Sequence, residues 1–257
     1  MRFLGVVPAR FNAHRLPGKP LIEVAGRPLV QWVCERVASA RFLNRVVVAT
    51  DDHRIYDAVQ GFGGEAILTR EDHTSGTDRV AEVATRLVAD VYVNVQTDEP
   101  LLESGTIDAI CQPFLADSEL QITTARSQIK DAREVDSPDH VKVVADRQGK
   151  ALYFSRIAIP HSSKAPAVYY RHLGIYAYRR RFLLGLSRLA PSDLEKTEGL
   201  EQLRFMDNGI PIQVVTVQDD SFGVDTQKDL DRVRPLLENR SPTDTQVAVK
   251  ERVVDGD

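Results

Sequence analysis

Three fixed cations, Arg10, Arg15 and Lys19, follow directly on a short apolar run at residues 3–7. A loop of that kind at the end of a first strand suits the holding of a polyphosphate. Its cations would neutralise charge on a departing pyrophosphate, and preorganised electrostatics of this sort is usually the largest catalytic contribution. Other phosphate loops do not fit. Gly18-Lys19 is followed by Pro20 rather than Ser or Thr, and Ala13 stands where a Walker loop needs its first glycine. Gly61-Phe62-Gly63-Gly64 continues to Ala66, so the dinucleotide fingerprint is also absent.

Two carboxylates far apart in the chain suit a hard cation. Asp98 follows an apolar run at 91–95, at the edge where a parallel sheet collects ligands. Taken alone, it reads equally as a turn former before Pro100. Asp225 precedes Thr226, and Thr226 with Asp229 makes a capping box that fills the helix start without Asp225. Together the two acids could share a Mg²⁺, which commonly takes one or two carboxylates beside phosphate oxygens. Their oxygens should then lie roughly 3–6 Å apart.

Ser75-Gly76-Thr77-Asp78-Arg79 opens another helix, whose free N–H groups can meet an anion or a base edge. Asp78 is equally explained by the helix dipole. Alternation along 171–176 puts His172, Gly174 and Tyr176 on one face and Arg171, Leu173 and Ile175 on the other. A His–Tyr pair suits a polar pocket wall or a satisfied core hydrogen bond. Glu201-Gln202 reads by default as a solvated helix face.

The elements that must position these groups alternate. Strands are expected at 3–7, 45–49, 66–68, 91–95 and 121–125, with helices at 28–40, 52–60, 77–88 and 103–115. That rhythm predicts an α/β fold, a Rossmann-like and mainly parallel sheet with helices on both faces. At about 140–178 strand follows strand, which predicts an inserted antiparallel subdomain serving as lid or dimer surface. Residues 212–217 and a helix at 226–237 return to the main sheet. The expected organisation is one domain over 1–238 and a disordered polar tail over 239–257.

With 257 residues, 42% hydrophobic and 27% charged, the chain has the composition of a globular α/β protein. A net charge of −4 gives no reason to expect a nucleic-acid partner. Two cysteines, Cys34 and Cys111, without a Cys-x-x-Cys pattern, read as buried thiols. No run approaches the roughly 20 apolar residues of a membrane span, and the start lacks a secretory pattern, so a soluble cytoplasmic protein is expected.

Taken as a set, these motifs resemble the 3-deoxy-D-manno-octulosonate cytidylyltransferase (CMP-Kdo synthetase) family. Those that carry the likeness include Pro8-Ala9-Arg10 with Arg15-Leu16-Pro17-Gly18-Lys19-Pro20, Asp98-Glu99-Pro100, Tyr153-Phe154-Ser155-Arg156, Arg171-His172-Leu173-Gly174-Ile175-Tyr176, Leu200-Glu201-Gln202-Leu203-Arg204 and Gly223-Val224-Asp225-Thr226. The resemblance implies a Mg²⁺-dependent, cytoplasmic, homodimeric nucleotidyltransferase that joins CTP to the eight-carbon sugar acid Kdo for lipopolysaccharide assembly. It implies Arg10, Arg15 and Lys19 on the CTP phosphates, and Arg10, Lys19, Asp98 and Asp225 as the catalytic set. Ala9, Ser75, Gly76 and Arg79 would meet the nucleotide, and Asp98 and Asp225 the metal. Gln96, Arg156, His172, Tyr176, Glu201 and Gln202 would line the sugar pocket.

The chain departs from the family pattern at Thr97, where glycine is usual, and at Gly199, where serine is expected. The 161–168 loop is also shorter than in some members. If Thr97 kept a glycine-only conformation, strain of about 1–3 kcal/mol would follow. Thr97 also keeps open a related sugar such as 8-amino-Kdo, and a non-catalytic nucleotide-binding homologue is the alternative from another class.

Overall fold

The structure, a computed structural model, describes residues 1–12 and 16–239. Its strands are β1 (Phe3–Ala9), β2 (Glu23–Val24), β3 (Arg27–Pro28), β4 (Leu43–Thr50), β5 (Ala66–Leu68), β6 (Val91–Asn94), β7 (Ile122–Gln128), β8 (Lys142–Ala145), β9 (Ala151–Ser155), β10 (Tyr170–Arg179) and β11 (Ile212–Val217). The helices are α1 (Leu29–Ala38), α2 (His53–Gly61), α3 (Gly76–Arg86), α4 (Ser104–Cys111), α5 (Pro113–Ala116), α6 (Ala132–Val135), α7 (Arg180–Gly185), α8 (Asp193–Glu198), α9 (Gln202–Asp207) and α10 (Gln227–Glu238).

Nine strands form one sheet, ordered β11-β7-β10-β6-β1-β4-β5, with β8 and β9 branching from β10. β1 is buried along its whole length, and its pairings with β4 and β6 are parallel. Strands buried on both faces read as continuous apolar runs. α1, α2, α4 and α5 cover one face through residues such as Val33, Ile55, Ile107 and Phe114. α3, α7, α9 and the β8–β9 hairpin cover the other through Val80, Phe182, Phe205 and Phe154. A third cluster seats α10 against Val24, Leu29 and Trp32 through Leu230, Val233 and Leu237.

The main-sheet expectations hold, with two local differences. The helix expected over 103–115 is two helices, because Pro113, which lacks an N–H, opens α5. Pro28 is the residue before α1 rather than its first turn, with ψ of 146°.

The antiparallel segment is present but is less separate than expected. β10 runs antiparallel between β6 and β7 inside the main sheet, and only the β8–β9 hairpin projects from it. Tyr176 pairs with Asn94 at the carboxyl end of β6, so the earlier residues of β10 reach past that end. His172 is thereby delivered to the same edge as Arg10 and Asp98. The segment after Asn239, expected to be disordered, lies outside the described residues, as does Arg15.

Candidate functional site

Lys19 stands where the two distant acids meet. Its loop is closed by the Gly18 N–H donating to the Phe11 carbonyl at 2.8 Å. Its ammonium lies 3.1 Å from Asp98 Oδ2 and 3.1 Å from Asp225 Oδ1. The two acid oxygens are therefore no farther apart than twice that distance, in keeping with a shared cation. Thr226 and Asp229 form the expected capping box at the start of α10, and the Asp225 N–H also donates to Asp229 at 3.2 Å. The Val224 N–H donates to the Asp98 carbonyl at 2.8 Å, which binds the two acidic segments side by side.

This arrangement fits a magnesium ion on its donor chemistry. A cationic side chain already bridges the two carboxylates. The neighbouring Glu99 carboxyl is held well above the usual range, chiefly by burial and then by Asp98, Asp219 and Asp225, with Arg171 acting the other way. Among the described residues no three acidic, His or Cys groups form a complete metal cage. Two carboxylates suffice for Mg²⁺ when substrate phosphates and water complete its shell.

Arg10 follows β1, whose last residue is the buried Ala9. One of its guanidinium nitrogens, Nη2, is buried with no hydrogen-bond partner. Burial and then the nearby Arg79 lower its pKa, while Asp51 and Asp78 act in the opposite direction. An arginine short of an acceptor in this position suits an incoming phosphate oxygen.

Arg79, expected to meet the nucleotide, is placed differently from Arg10. Its side chain is wholly buried, bonded to Asp51 Oδ2 at 2.6 Å and to the Thr69 hydroxyl. A guanidinium enclosed in this way against a carboxylate has the surroundings of a structural ion pair. Asp78 is likewise explained locally, since Ser75 and Asp78 form a capping box at the start of α3. Gly76 lies so close to the Gln96 amide that an added Cβ would stand 3.0 Å from its nitrogen.

The second group of polar residues gathers near the first turn of α3. The alternation read from the sequence holds: Tyr176 joins the core on one face of the sheet, Leu173 and Ile175 that on the other. A bulge between Leu173 and Tyr176 preserves parity because it takes in two extra residues. The His172 ring lies 5.3 Å from Tyr176 and 5.0 Å from Phe154, and its Nε2 is 2.9 Å from the Thr124 hydroxyl. Burial pushes its pKa down to about 3, so the ring is neutral at ordinary pH.

Glu201 and Gln202 are not a solvated face. Gln202 is buried, and Glu201 accepts from the Thr77 hydroxyl at 2.5 Å. Tyr176 OH, Glu201 Oε1 and Gln202 Nε2 are all buried without partners. Unsatisfied buried polar atoms cost about 1–3 kcal/mol each, so a hydroxyl-rich ligand would relieve a real penalty here. The Gln96 amide donates to Asn94 at 3.0 Å.

A cavity of about 680 Å³ opens beside the carboxylates, with Asp98, Asp225, Arg156 and His172 in its wall. Gln96, Tyr176, Glu201 and Gln202 are not among its lining residues and cluster instead around α3. Arg156 is held by the carbonyls of Glu198 at 2.8 Å and Pro138 at 3.0 Å. Sequence reasoning missed Arg171, Ser221, Lys228 and Arg232, which also line the cavity. The last two, four residues apart on α10, could have been found as one helix face.

Two of the departures from the family pattern, Gly199 and Thr97, can be read from the backbone. Gly199 ends α8 at a φ of +63°, a conformation in which serine would be strained. Among the described residues Ala25 is the sole non-glycine with positive φ, so Thr97 carries no such strain.

Comparison with known proteins gives a consistent set. Residues 4–214 match the cytidylyltransferase family. A 3-deoxy-manno-octulosonate cytidylyltransferase of Geobacter metallireducens is 47% identical, over 91% of this chain and 96% of its own length. One from Solibacter usitatus is 45% identical, over 92% and 94%. Among solved structures, a CMP:2-keto-3-deoxy-manno-octonic acid synthetase complexed with CTP superposes with a TM-score of 0.89 at 44% identity, covering 92% of this chain and 98% of its own. A glucose-1-phosphate thymidylyltransferase from Bacillus anthracis shares the fold, with a TM-score of 0.67 at 16% identity over 93% of this chain and 96% of its own.

Proposed function

The chain belongs to the cytidylyltransferase family, and from that premise we infer that it transfers CMP from CTP to the anomeric hydroxyl of Kdo, releasing pyrophosphate. The observation that carries the reading is Lys19 bridging Asp98 and Asp225, two acids that stand in the wall of a cavity. The sugar hydroxyl attacks the α-phosphorus, the bond to the bridging oxygen of the β-phosphate breaks, and pyrophosphate departs with that oxygen. Lys19, Arg10 and Arg15 take up the charge of the leaving group. Asp98 and Asp225 would hold the Mg²⁺, which when bound supplies charge neutralisation at the α-phosphate and acidifies the attacking hydroxyl.

The other residues orient. The Ala9 backbone and the Ser75-Gly76 turn meet the nucleotide. Tyr176, Glu201, Gln202 and Gln96 take sugar hydroxyls, supported by the three buried unpartnered polar atoms among them. Neutral His172 and Arg156 stand in the wall of the cavity beside the two acids. Arg156 presents a fixed positive charge, which suits the sugar's carboxylate.

We place the enzyme in the cytoplasm, where its nucleotide substrate is made. We place its homodimer contact on the hairpin region, supported by the exposed apolar side chains of Leu152, Ile157 and Val168. No helix among the described residues is long and apolar enough to cross a membrane.

The test is pyrophosphate release with CTP, Mg²⁺ and a panel of acidic sugars. Turnover with Kdo is expected. Preference for 8-amino-Kdo would move the substrate within the class, and CTP binding without product on any sugar would overturn the reading.

A further inference from the structure

Asp225 sits on a segment without helix or strand, running from the end of β11 to the start of α10. Something must hold that segment if Asp225 is to meet Asp98 at a fixed distance. Asp219 is the wholly buried acid at its beginning. Its Oδ1 accepts the Ser221 N–H at 2.8 Å, which curls the segment onto itself. Its Oδ2 accepts the Thr106 hydroxyl at 2.6 Å and the Glu103 N–H at 3.4 Å, both at the start of α4. Its carbonyl accepts from the buried Arg171 Nη2 at 2.7 Å.

α4 begins shortly after Asp98, in the same connection. Asp219 therefore joins the segment that carries one acid to the segment that carries the other. The Val224 N–H on the Asp98 carbonyl makes the second join, next to the acids themselves. With both ends fastened, the intervening turn has little freedom to move Asp225.

We propose that Asp219 is a positioning residue, which ties the Asp225 segment to the start of α4 and so sets the geometry in which Asp98 and Asp225 meet a divalent cation. This rests on the reading of those two acids as metal ligands. A carboxylate suits the position better than an amide, because the Ser221 N–H, Thr106 hydroxyl and Glu103 N–H converge on its two oxygens. Negative charge there also matches the partial positive charge at the start of α4. Asparagine would keep the shape but turn N–H groups toward donors. Groups that orient metal ligands typically contribute 10–100-fold to metal affinity or activity.

The experiment is Asp219→Asn beside wild type, read by Mn²⁺ binding with CTP present, using paramagnetic resonance, and by kinetics across a Mg²⁺ series. The expected result is Mn²⁺ binding weakened about 10–100-fold, with kcat lost at low Mg²⁺ and regained at high Mg²⁺. KM for the sugar should barely move. Unchanged Mn²⁺ affinity, or a kcat loss that Mg²⁺ does not relieve, would overturn the proposal. If that variant does not fold, Thr106→Val removes one donor to the same carboxylate from the helix side. It should weaken Mn²⁺ binding several-fold, and wild-type affinity there would equally overturn the idea. A wild-type enzyme that releases no pyrophosphate would sink the functional reading instead, while the Mn²⁺ comparison would still report on Asp219.

Discussion

Lys19 and Arg79 are both buried cations set among acids, and their surroundings differ. Lys19 has a side chain 10% exposed and two acids that are themselves open to solvent, Asp98 at 27% and Asp225 at 38%. Arg79 is 0% exposed and its partner Asp51 only 18%. The acids of the first cluster stand in the wall of the cavity. The second is closed, and its two charges act on Arg10 in opposite directions, Arg79 lowering its pKa and Asp51 raising it. On the proposed reading, a buried cation serves as a ligand group when its acids still face open space, and as a structural one when they do not.

Removing each cation tests that division. Arg79→Met should cost about 3–5 kcal/mol of stability, because Asp51 loses the partner that compensates its partly buried charge. Denaturant unfolding would show this, while KM and kcat of the remaining folded enzyme stay near wild type. A variant of wild-type stability but poor CTP affinity would put Arg79 back in the binding site. Lys19→Met should invert the pattern. Turnover should fall on the order of 10²–10³-fold, as for loss of one transition-state contact, with the unfolding midpoint nearly unchanged. A large stability loss there would make Lys19 structural too.

The smallest effect concerns His172, a neutral group between the two extremes. Its pKa is depressed in the folded protein to about 3 and returns to about 6.5 on unfolding. Its contribution to stability is present above pH ~6.5 and is lost as pH falls from there toward 3, at up to ~1.4 kcal/mol per pH unit, because only the unfolded chain takes up the proton. His172→Gln should flatten the fall in stability between pH 7 and pH 5. An unchanged slope in unfolding experiments would mean that the imidazole protonates freely in the native state.

Much of this was legible in the sequence. Continuous apolar runs marked the parallel strands, and the Thr226–Asp229 box separated Asp225 from the duty of capping. What was not legible depended on contacts distant in the chain. The burial of Arg79 is set by Asp51 and Thr69, which its own helix cannot reveal. The place of β10 inside the sheet follows from pairing with β6 and β7, whereas local alternation shows only its two faces. α9 has six residues, too few to display a buried stripe, so Glu201 and Gln202 passed for surface groups. Asp219 left no local signal, since its partners Thr106 and Arg171 come from other elements.

The central claim is that Asp98 and Asp225 serve one centre, and a double-mutant cycle on pyrophosphate release measures it directly. Asp98→Asn and Asp225→Asn should each reduce turnover severely with the fold intact, and the double variant should be little worse than either alone, as for residues that act as a unit. Losses that multiply in the double variant would show two acids working independently, and would contradict the account.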